Sequence, residues 1–300
     1  MKIVILGKNG QLGQSLKNKF YNSKYECTFL SKSELDITDH QKTEALIKNI
    51  KPLIIINACA YTNVDKAEEE FKKAYSVNYY AVDNLAKICK ENGNFLIHIS
   101  TDFIFDGLSN SPYKTSDLPN PLNVYGSSKL KGEQSIINSE CSYQIIRTSW
   151  VFSEYGNNFL KTMLKLSNKV NKISVVDDQF GTPTCAHDLA EAIFQTTNHI
   201  EKGEIMEGIF HLSGNEVHSW FSFAKKILDN LDKDIQVNPI TTDEYHTKAQ
   251  RPKYSALESS EFHKNLSKIN NKLDDSISMV VSNLINNSFL DDSTENYRQI

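Results

Sequence analysis

Tyr125 and Lys129 stand four residues apart in the stretch PLNVYGSSKLKGE, residues 121–133, and their types and spacing suit acid–base chemistry. Leu122, Leu130 and Ile136 around them predict a helix entered from a proline-bounded loop. On a helix, residues i and i+4 share a face, so a phenol and an ammonium converge on one spot. The positive charge favours the phenolate and is expected to draw the Tyr125 pKa down from about 10 toward working pH. A phenol tuned in this way can deliver a proton to a carbonyl oxygen. The same spacing is common on ordinary solvated helix faces, so its meaning depends on what the rest of the chain places beside it.

The N-terminus supplies a candidate partner. Lys2 to Leu6 is a short apolar run that reads as a strand, and it leads directly into Gly7-Lys8-Asn9-Gly10-Gln11-Leu12-Gly13. Leu12, Leu16 and Phe20 then mark one face of a helix. Strand, glycine turn and helix form the context in which a pyrophosphate sits over the positive end of a helix. The spacing of Gly7, Gly10 and Gly13 is a variant of the usual dinucleotide fingerprint; a glycine-rich turn without a ligand is the alternative. A second strand, Cys27 to Leu30, ends in Ser31-Lys32, which suits a 2′-phosphate better than the acidic residue of NAD-preferring sites. The expected cofactor is therefore NADP(H) or NAD(H), with NADP favoured and Glu34 arguing the other way. Asp36 opens a turn, Ile37-Thr38-Asp39, into a helix over 40–50, and can equally be read as a helix cap.

Leu53 to Asn57 and Phe95 to Ser100 are near-continuous apolar runs, as expected for the buried centre of a parallel sheet. The first ends in the small stretch Ala58 to Thr62; the second runs into Thr101-Asp102 after a helix expected over 75–92. A hydroxyl and a carboxylate at a strand's carboxyl end are placed to touch a ligand, or simply to make a turn. Beyond a strand at 143–147 the alternation loosens into segments at 158–168, 173–176, 187–197, 208–212 and 219–230, a loop at 251–255 and a final helix at 274–284. The expected fold is α/β: a Rossmann-type, doubly wound parallel sheet with a smaller interleaved substrate-binding region. Residues 1–150 would be mainly NAD(P)-binding, with parts of 158–212; residues 151–290 would mainly bind substrate, and 291–300 would be a frayed tail.

Composition narrows the class. The 300 residues are 39% hydrophobic and 23% charged with a net charge of −4, which gives no reason to expect nucleic acid or an anionic membrane as partner. No apolar run reaches the roughly 18 residues a membrane span needs. Five scattered cysteines without a C-x-x-C pair suggest reduced thiols and a cytoplasmic enzyme. The eight histidines show no metal-ligand spacing, so no protein-built catalytic metal is expected.

Seven stretches together carry a resemblance: GKNGQLG (7–13), NACAYTNVDKAE (57–68), STDFIFDG (100–107), PLNVYGSSKLKGE (121–133), RTSWVF (147–152), GNNFLKTMLKL (156–166) and DQFGTPT (178–184). In this order, over roughly residues 1–255, the chain resembles the dTDP-4-dehydrorhamnose reductase family of the extended short-chain dehydrogenase/reductases. The resemblance implies hydride transfer from NAD(P)H to the C4 ketone of dTDP-4-dehydro-L-rhamnose, giving dTDP-L-rhamnose for surface polysaccharide. It implies that Tyr125 donates the proton, that Lys129 holds the nicotinamide ribose and depresses the Tyr125 pKa, and that Thr101 polarises the keto oxygen. It places Asp102, Trp150 and Arg251 at the dTDP-sugar. Gly7, Gly10, Gln11, Leu12, Gly13, Asp36, Ile37, Ala60, Tyr61 and Thr62 would line the cofactor.

One departure bears on assembly. Some members of the family dimerise through a magnesium ion held by glutamates, but here Gln14, Ser15 and His187-Asp188 occupy the corresponding stretches. The expectation is a monomer or a metal-free dimer. Other readings of the same residues are reduction of a different 4-keto-6-deoxy sugar nucleotide and a non-catalytic nucleotide-binding regulatory subunit of the same fold. An epimerase or dehydratase is a third, although Phe103 follows Asp102 where dehydratases carry a second acid.

Overall fold

The computed structural model describes residues 1–286 apart from 232, 267, 268, 270 and 271. The elements in chain order begin with β1 (Lys2–Leu6), α1 (Gln11–Phe20), β2 (Glu26–Leu30), α2 (His40–Ile50), β3 (Ile54–Asn57), α3 (Val64–Glu69) and α4 (Phe71–Tyr75). After a π turn at Ser76–Tyr80 come α5 (Ala81–Asn92), β4 (Phe95–Thr101), α6 (Val124–Ser139), β5 (Tyr143–Thr148), β6 (Val151–Phe152), α7 (Phe159–Ser167) and β7 (Lys172–Val176). The remainder is β8 (Phe180–Gly181), β9 (Thr184–Cys185), α8 (Ala186–Glu201), β10 (Gly208–His211), β11 (His218–Ser219), α9 (Trp220–Leu228), β12 (Gln236–Ile240), α10 (Ser260–Asn265) and α11 (Leu273–Asn286).

Six strands form one parallel sheet in the order β2-β1-β3-β4-β5-β10. Both of its faces are covered, which is why its strands read as unbroken apolar runs rather than alternating ones. One face packs Ile3, Ile5 and Ile97 against Leu12 and Leu16 of α1 and Ile193 of α8. The other packs Val4, Leu6 and Ile145 against Ile47 of α2, Leu85 of α5 and Ile136 of α6. A third cluster, with Phe152, Leu164, Ile173, Phe223 and Ile277, joins α7, α9 and α11 to β7, which pairs in parallel with β12.

The direction of winding reverses between β1 and β3, and in such sheets ligands bind at that reversal, beyond the carboxyl ends of the strands. The register aligns those ends. Leu6 lies beside Leu30 on one side and Asn57 on the other, and Asn57 lies beside His98. Strand β4 continues three residues past that line, to Thr101 opposite Thr148, and so carries Thr101 out into the crevice.

The helix expected over 75–92 is present and begins earlier: α4, the π turn at Ser76–Tyr80 and α5 run on with right-handed helical backbone throughout, the π turn changing only the hydrogen-bond register. Three further elements, α3, β12 and α10, lie outside the expected segments. Each has only five or six residues, too few to show a period, and β12 contains Pro239, which removes a ladder donor. The tail expected to fray at 291–300 lies outside the described residues. No helix among those described is long and apolar enough to cross a membrane, and none of the five cysteines forms a disulfide.

Candidate active site

The glycine turn is built by close backbone approach. Gly7 has φ +91°, and a Cβ there would lie 2.8 Å from the carbonyl of Ala58. A Cβ on Gly13 would lie 2.1 Å from Gly7 O. The turn closes through Gly10 N–H to Gly7 O at 3.0 Å. Gly10 then starts α1 with no side-chain cap and no acidic residue in the first turn, which leaves that positive end suited to an anion. These residues fit a dinucleotide pyrophosphate.

Two residues expected to line the cofactor turn their side chains into the core. The side chains of Leu12 and Ile37 are buried in the two faces of the core. Gln11 instead ties the turn to the later part of the chain: Nε2 donates to Val151 O at 3.2 Å, and Oε1 accepts from Ser153 Oγ at 3.0 Å and Asn158 Nδ2 at 2.8 Å. Asp36 does not cap α2; Asp39 does, accepting from Lys42 N. Asp36 Oδ1 accepts from the N–H of Thr38 at 3.0 Å and its hydroxyl at 2.7 Å.

At the end of β2 the Ser31 hydroxyl and N–H both donate to Glu34 Oε2, at 2.6 and 2.8 Å, and Lys8 Nζ lies 2.9 Å from Glu34 Oε1. These bonds, the Ser31 hydroxyl first, hold the Glu34 carboxyl down at about 2. Lys32 is largely exposed, 3.6 Å from Asp36 Oδ2. Glu34 thus occupies the Ser31 hydroxyl, while Lys8 and Lys32 set positive charge around it.

Ala60, Tyr61 and Thr62 follow β3, and the backbone of Tyr61 is held by the π turn. Tyr61 N–H donates to Asn78 Oδ1 at 2.8 Å, and Asn78 Nδ2 donates to Tyr61 O at 3.1 Å and to Ser128 Oγ at 3.0 Å. Asn78 lies inside the π turn and is fully buried. The turn therefore supplies the link between this strap and α6.

Tyr125 sits in the first turn of α6, whose N-cap Asn123 accepts from Gly126 N at 2.8 Å. Gly126 lets the helix close on the short 3-10 turn at Asp102–Ile104: a Cβ there would lie 2.1 Å from Phe103 O. Thr101, at the end of β4, donates through Oγ1 to Asp102 Oδ1 at 3.1 Å and accepts from Phe103 N. Burial pushes the Tyr125 phenol up to about 12, opposed by its hydrogen bond with Thr101 and reinforced by Asp102. The expected depression by Lys129 is not found. Lys129 Nζ is engaged instead with Ile99 O at 2.6 Å and His98 Nε2 at 3.2 Å, and burial first pushes its own value down to about 8. Burial also lifts Asp102 to about 7, against the hydroxyls of Ser255 and Thr101.

Trp150 and Arg251, expected at the sugar nucleotide, have other partners in this structure. Trp150, with φ +46°, stacks on Trp220 with ring centroids 3.4 Å apart and planes 4° from parallel. Arg251 pairs with Asp65 of α3, Nη2 to Oδ2 at 2.6 Å. Asn57, His98 and Asn78 also belong to this bonding network, outside the expected site residues. The available signal for the first two was a polar residue inside a fully buried apolar strand.

The family model described as the RmlD substrate binding domain matches residues 1–285. The chain belongs to that family. A dTDP-4-dehydrorhamnose reductase of Aggregatibacter actinomycetemcomitans is 43% identical over 265 residues, covering 86% of this chain and 90% of the relative. Among solved structures, one described as a dTDP-4-dehydrorhamnose reductase from Clostridium acetobutylicum has a TM-score of 0.89 at 35% identity, covering 95% of this chain and all of that one. A Bacillus anthracis reductase solved in complex with NADP has a TM-score of 0.88 at 36% identity, covering 94% of this chain and 99% of its own. For this RmlD-family chain, a Thermus thermophilus UDP-glucose 4-epimerase at 16% identity and a TM-score of 0.80 shares the fold alone.

Proposed function

We propose that this chain reduces the C4 ketone of dTDP-4-dehydro-L-rhamnose to the alcohol of dTDP-L-rhamnose, with a nicotinamide dinucleotide as hydride source. The observation that supports this reading is that Tyr125 and Lys129 of α6 both reach β4, Tyr125 at the Thr101 hydroxyl and Lys129 at Ile99 O and His98, in a chain that also carries a close-packed glycine turn and is 43% identical to a reductase of that name. The NADP complex of the Bacillus anthracis relative supports the cofactor class. The bound nicotinamide would supply the hydride; the rest of the chemistry falls to the chain's own side chains.

Hydride arrival at C4 puts negative charge on the ketone oxygen. The Thr101 hydroxyl would donate to that oxygen and lower the cost of its charge, and Tyr125 would deliver the proton. A phenol held at about 12 is fully protonated at neutral pH, so its proton is always present to be given. An alkoxide is a stronger base still and takes it readily. Lys129 would hold the nicotinamide ribose, and the α1 N-terminus the pyrophosphate. Arg251 and Asp102 would meet the sugar nucleotide, with Trp150 at the boundary of the smaller region. The cofactor is assigned mainly to residues 1–150 with parts of 158–212, and the substrate mainly to 151–290.

NADPH is favoured because Lys8 and Lys32 flank the end of β2. The chain is proposed to work in the cytoplasm as a monomer or a metal-free dimer. Ser15 is buried with its hydroxyl on Gln11 O at 3.1 Å, and His187 is bonded to Glu154 at 2.8 Å, so these side chains do not fit a bridging magnesium site. Reduction with deuterium-labelled NADPH tests the reaction. The label should appear at C4 of the sugar, and a product labelled elsewhere, or unlabelled, contradicts the assignment.

A further inference from the structure

Two polar residues inside otherwise apolar strands reach the lysine of the site. Asn57 ends β3, His98 lies beside it in β4, and both are fully buried. Cys59 N–H donates to Asn57 Oδ1 at 3.1 Å. A backbone N–H can only donate, so the Asn57 amide is fixed with Nδ2 on its other side. Nδ2 lies 3.1 Å from His98 Nδ1, and because Nδ2 donates, Nδ1 accepts. The neutral ring then carries its proton on Nε2, 3.2 Å from Lys129 Nζ. An N–H aimed there finds a lone pair only on the amine; opposite an ammonium, N–H groups face one another.

We propose that Asn57 and His98 are positioning residues that hold an N–H against Lys129 and keep its amine and ammonium forms close in free energy, so that Lys129 exchanges a proton during turnover. This rests on Lys129 serving the reduction proposed above. When Tyr125 has given up its proton, an ammonium at Lys129 returns one to the phenolate. That leaves Tyr–OH and a neutral amine, whose lone pair accepts from His98 Nε2–H until a proton from solvent water restores the ammonium before the next turnover.

The other groups around Lys129 pull in both directions. Burial opposes its charge most, while Glu133 and Cys59 favour it. Glu133 is itself paired with Arg147 of β5, 2.7 Å from Nη2. The Ile99 carbonyl accepts from Nζ in either form. Tyr125 lies one turn back on α6, with Asp102 beside it. His98 is held well below its usual range by burial and then by Lys129, so it does not charge in response.

Long-range proton–nitrogen spectra of wild-type protein with labelled histidine test the relay directly. His98 should be neutral with its proton on Nε2 from about pH 6 to 9; an Nδ1–H tautomer, or an imidazolium in that range, overturns the proposal. Asn57→Asp provides the second arm, because a carboxylate takes the ring proton onto Nδ1 and turns the Nε2 lone pair toward Nζ. In protein with labelled lysine, assigned by Lys129→Arg, the Lys129 midpoint should rise by roughly one pH unit or more, and an unchanged midpoint overturns the relay. A shifted midpoint with an unshifted pH–rate profile keeps the Asn57–His98–Lys129 hydrogen bonding but overturns proton exchange by Lys129 during turnover.

Discussion

Arg251 closes on Asp65 with both ends of its guanidinium, Nη2 to Oδ2 at 2.6 Å and Nη1 to Oδ1 at 3.2 Å, across 186 residues of sequence. Ala249 N–H donates to the same carboxylate at 3.0 Å, and Gln250 O accepts from Asn123 Nδ2 at 2.8 Å, next to Tyr125. The loop carrying Arg251 is thus latched to α3 and to the start of α6. A fork already held in plane by one carboxylate is preorganised for a second anion. Arg251→Ala is expected to raise KM for the sugar nucleotide about 10- to 100-fold with kcat largely kept. Steady-state kinetics check this, and an unchanged KM would remove Arg251 from the substrate site.

The glycine turn leaves no room for a side chain at Gly13, because the obstructing atom is the backbone oxygen of Gly7. Gly13→Ala should distort the turn, cost about 1–3 kcal/mol of stability and weaken NADPH binding sharply. Thermal melts and fluorescence titration of NADPH read the two effects. Wild-type cofactor affinity in a folded Gly13→Ala protein would show that the turn does not bind the pyrophosphate.

Asp102 gives a pH dependence opposite in sign to that of most carboxylates. Its folded value, about 7, lies above the unfolded value of about 3.9. Between these values the native state holds a proton that the unfolded chain has released, so its contribution to stability falls as pH rises through this window. Asp102→Asn stays neutral throughout. The melting temperature of wild type relative to Asp102→Asn should therefore drop by several degrees between about pH 4 and 7. A constant difference would mean that Asp102 is ionised in the native protein across the window.

Cofactor choice turns on charges at the end of β2. Lys32 is exposed and pairs loosely with Asp36, at 3.6 Å, so its side chain can turn to a 2′-phosphate. Lys32→Ala is expected to weaken NADPH several-fold more than NADH, by the loss of about one charge-assisted contact. Dissociation constants for both cofactors measure the ratio; equal losses would assign the 2′-position to other residues.

Much of the site was legible because it is local. Tyr125 and Lys129, the glycines at 7, 10 and 13, and Thr101-Asp102 at a strand end each declare themselves within a few residues. The parallel sheet was readable from unbroken runs such as Leu53 to Asn57. What could not be read depends on distant partners. Gln11 is bonded to residues 151–158, Asn78 reaches Tyr61 only because a π turn brings it inward, and Arg251 meets Asp65 from the far end of the chain. The expected pull of Lys129 on Tyr125 failed for the same kind of reason. Sequence spacing brings the two to one helix face, but burial and the contacts of Lys129 with His98 and Ile99 decide their charges.

The most direct test of the central claim follows the loss of NADPH absorbance with enzymatically prepared dTDP-4-dehydro-L-rhamnose, for wild type beside Tyr125→Phe. Wild type should oxidise NADPH and form dTDP-L-rhamnose, while Tyr125→Phe binds NADPH normally and turns over roughly 10² or more times slower. Cofactor binding without oxidation in wild type, or full activity in Tyr125→Phe, would contradict the account.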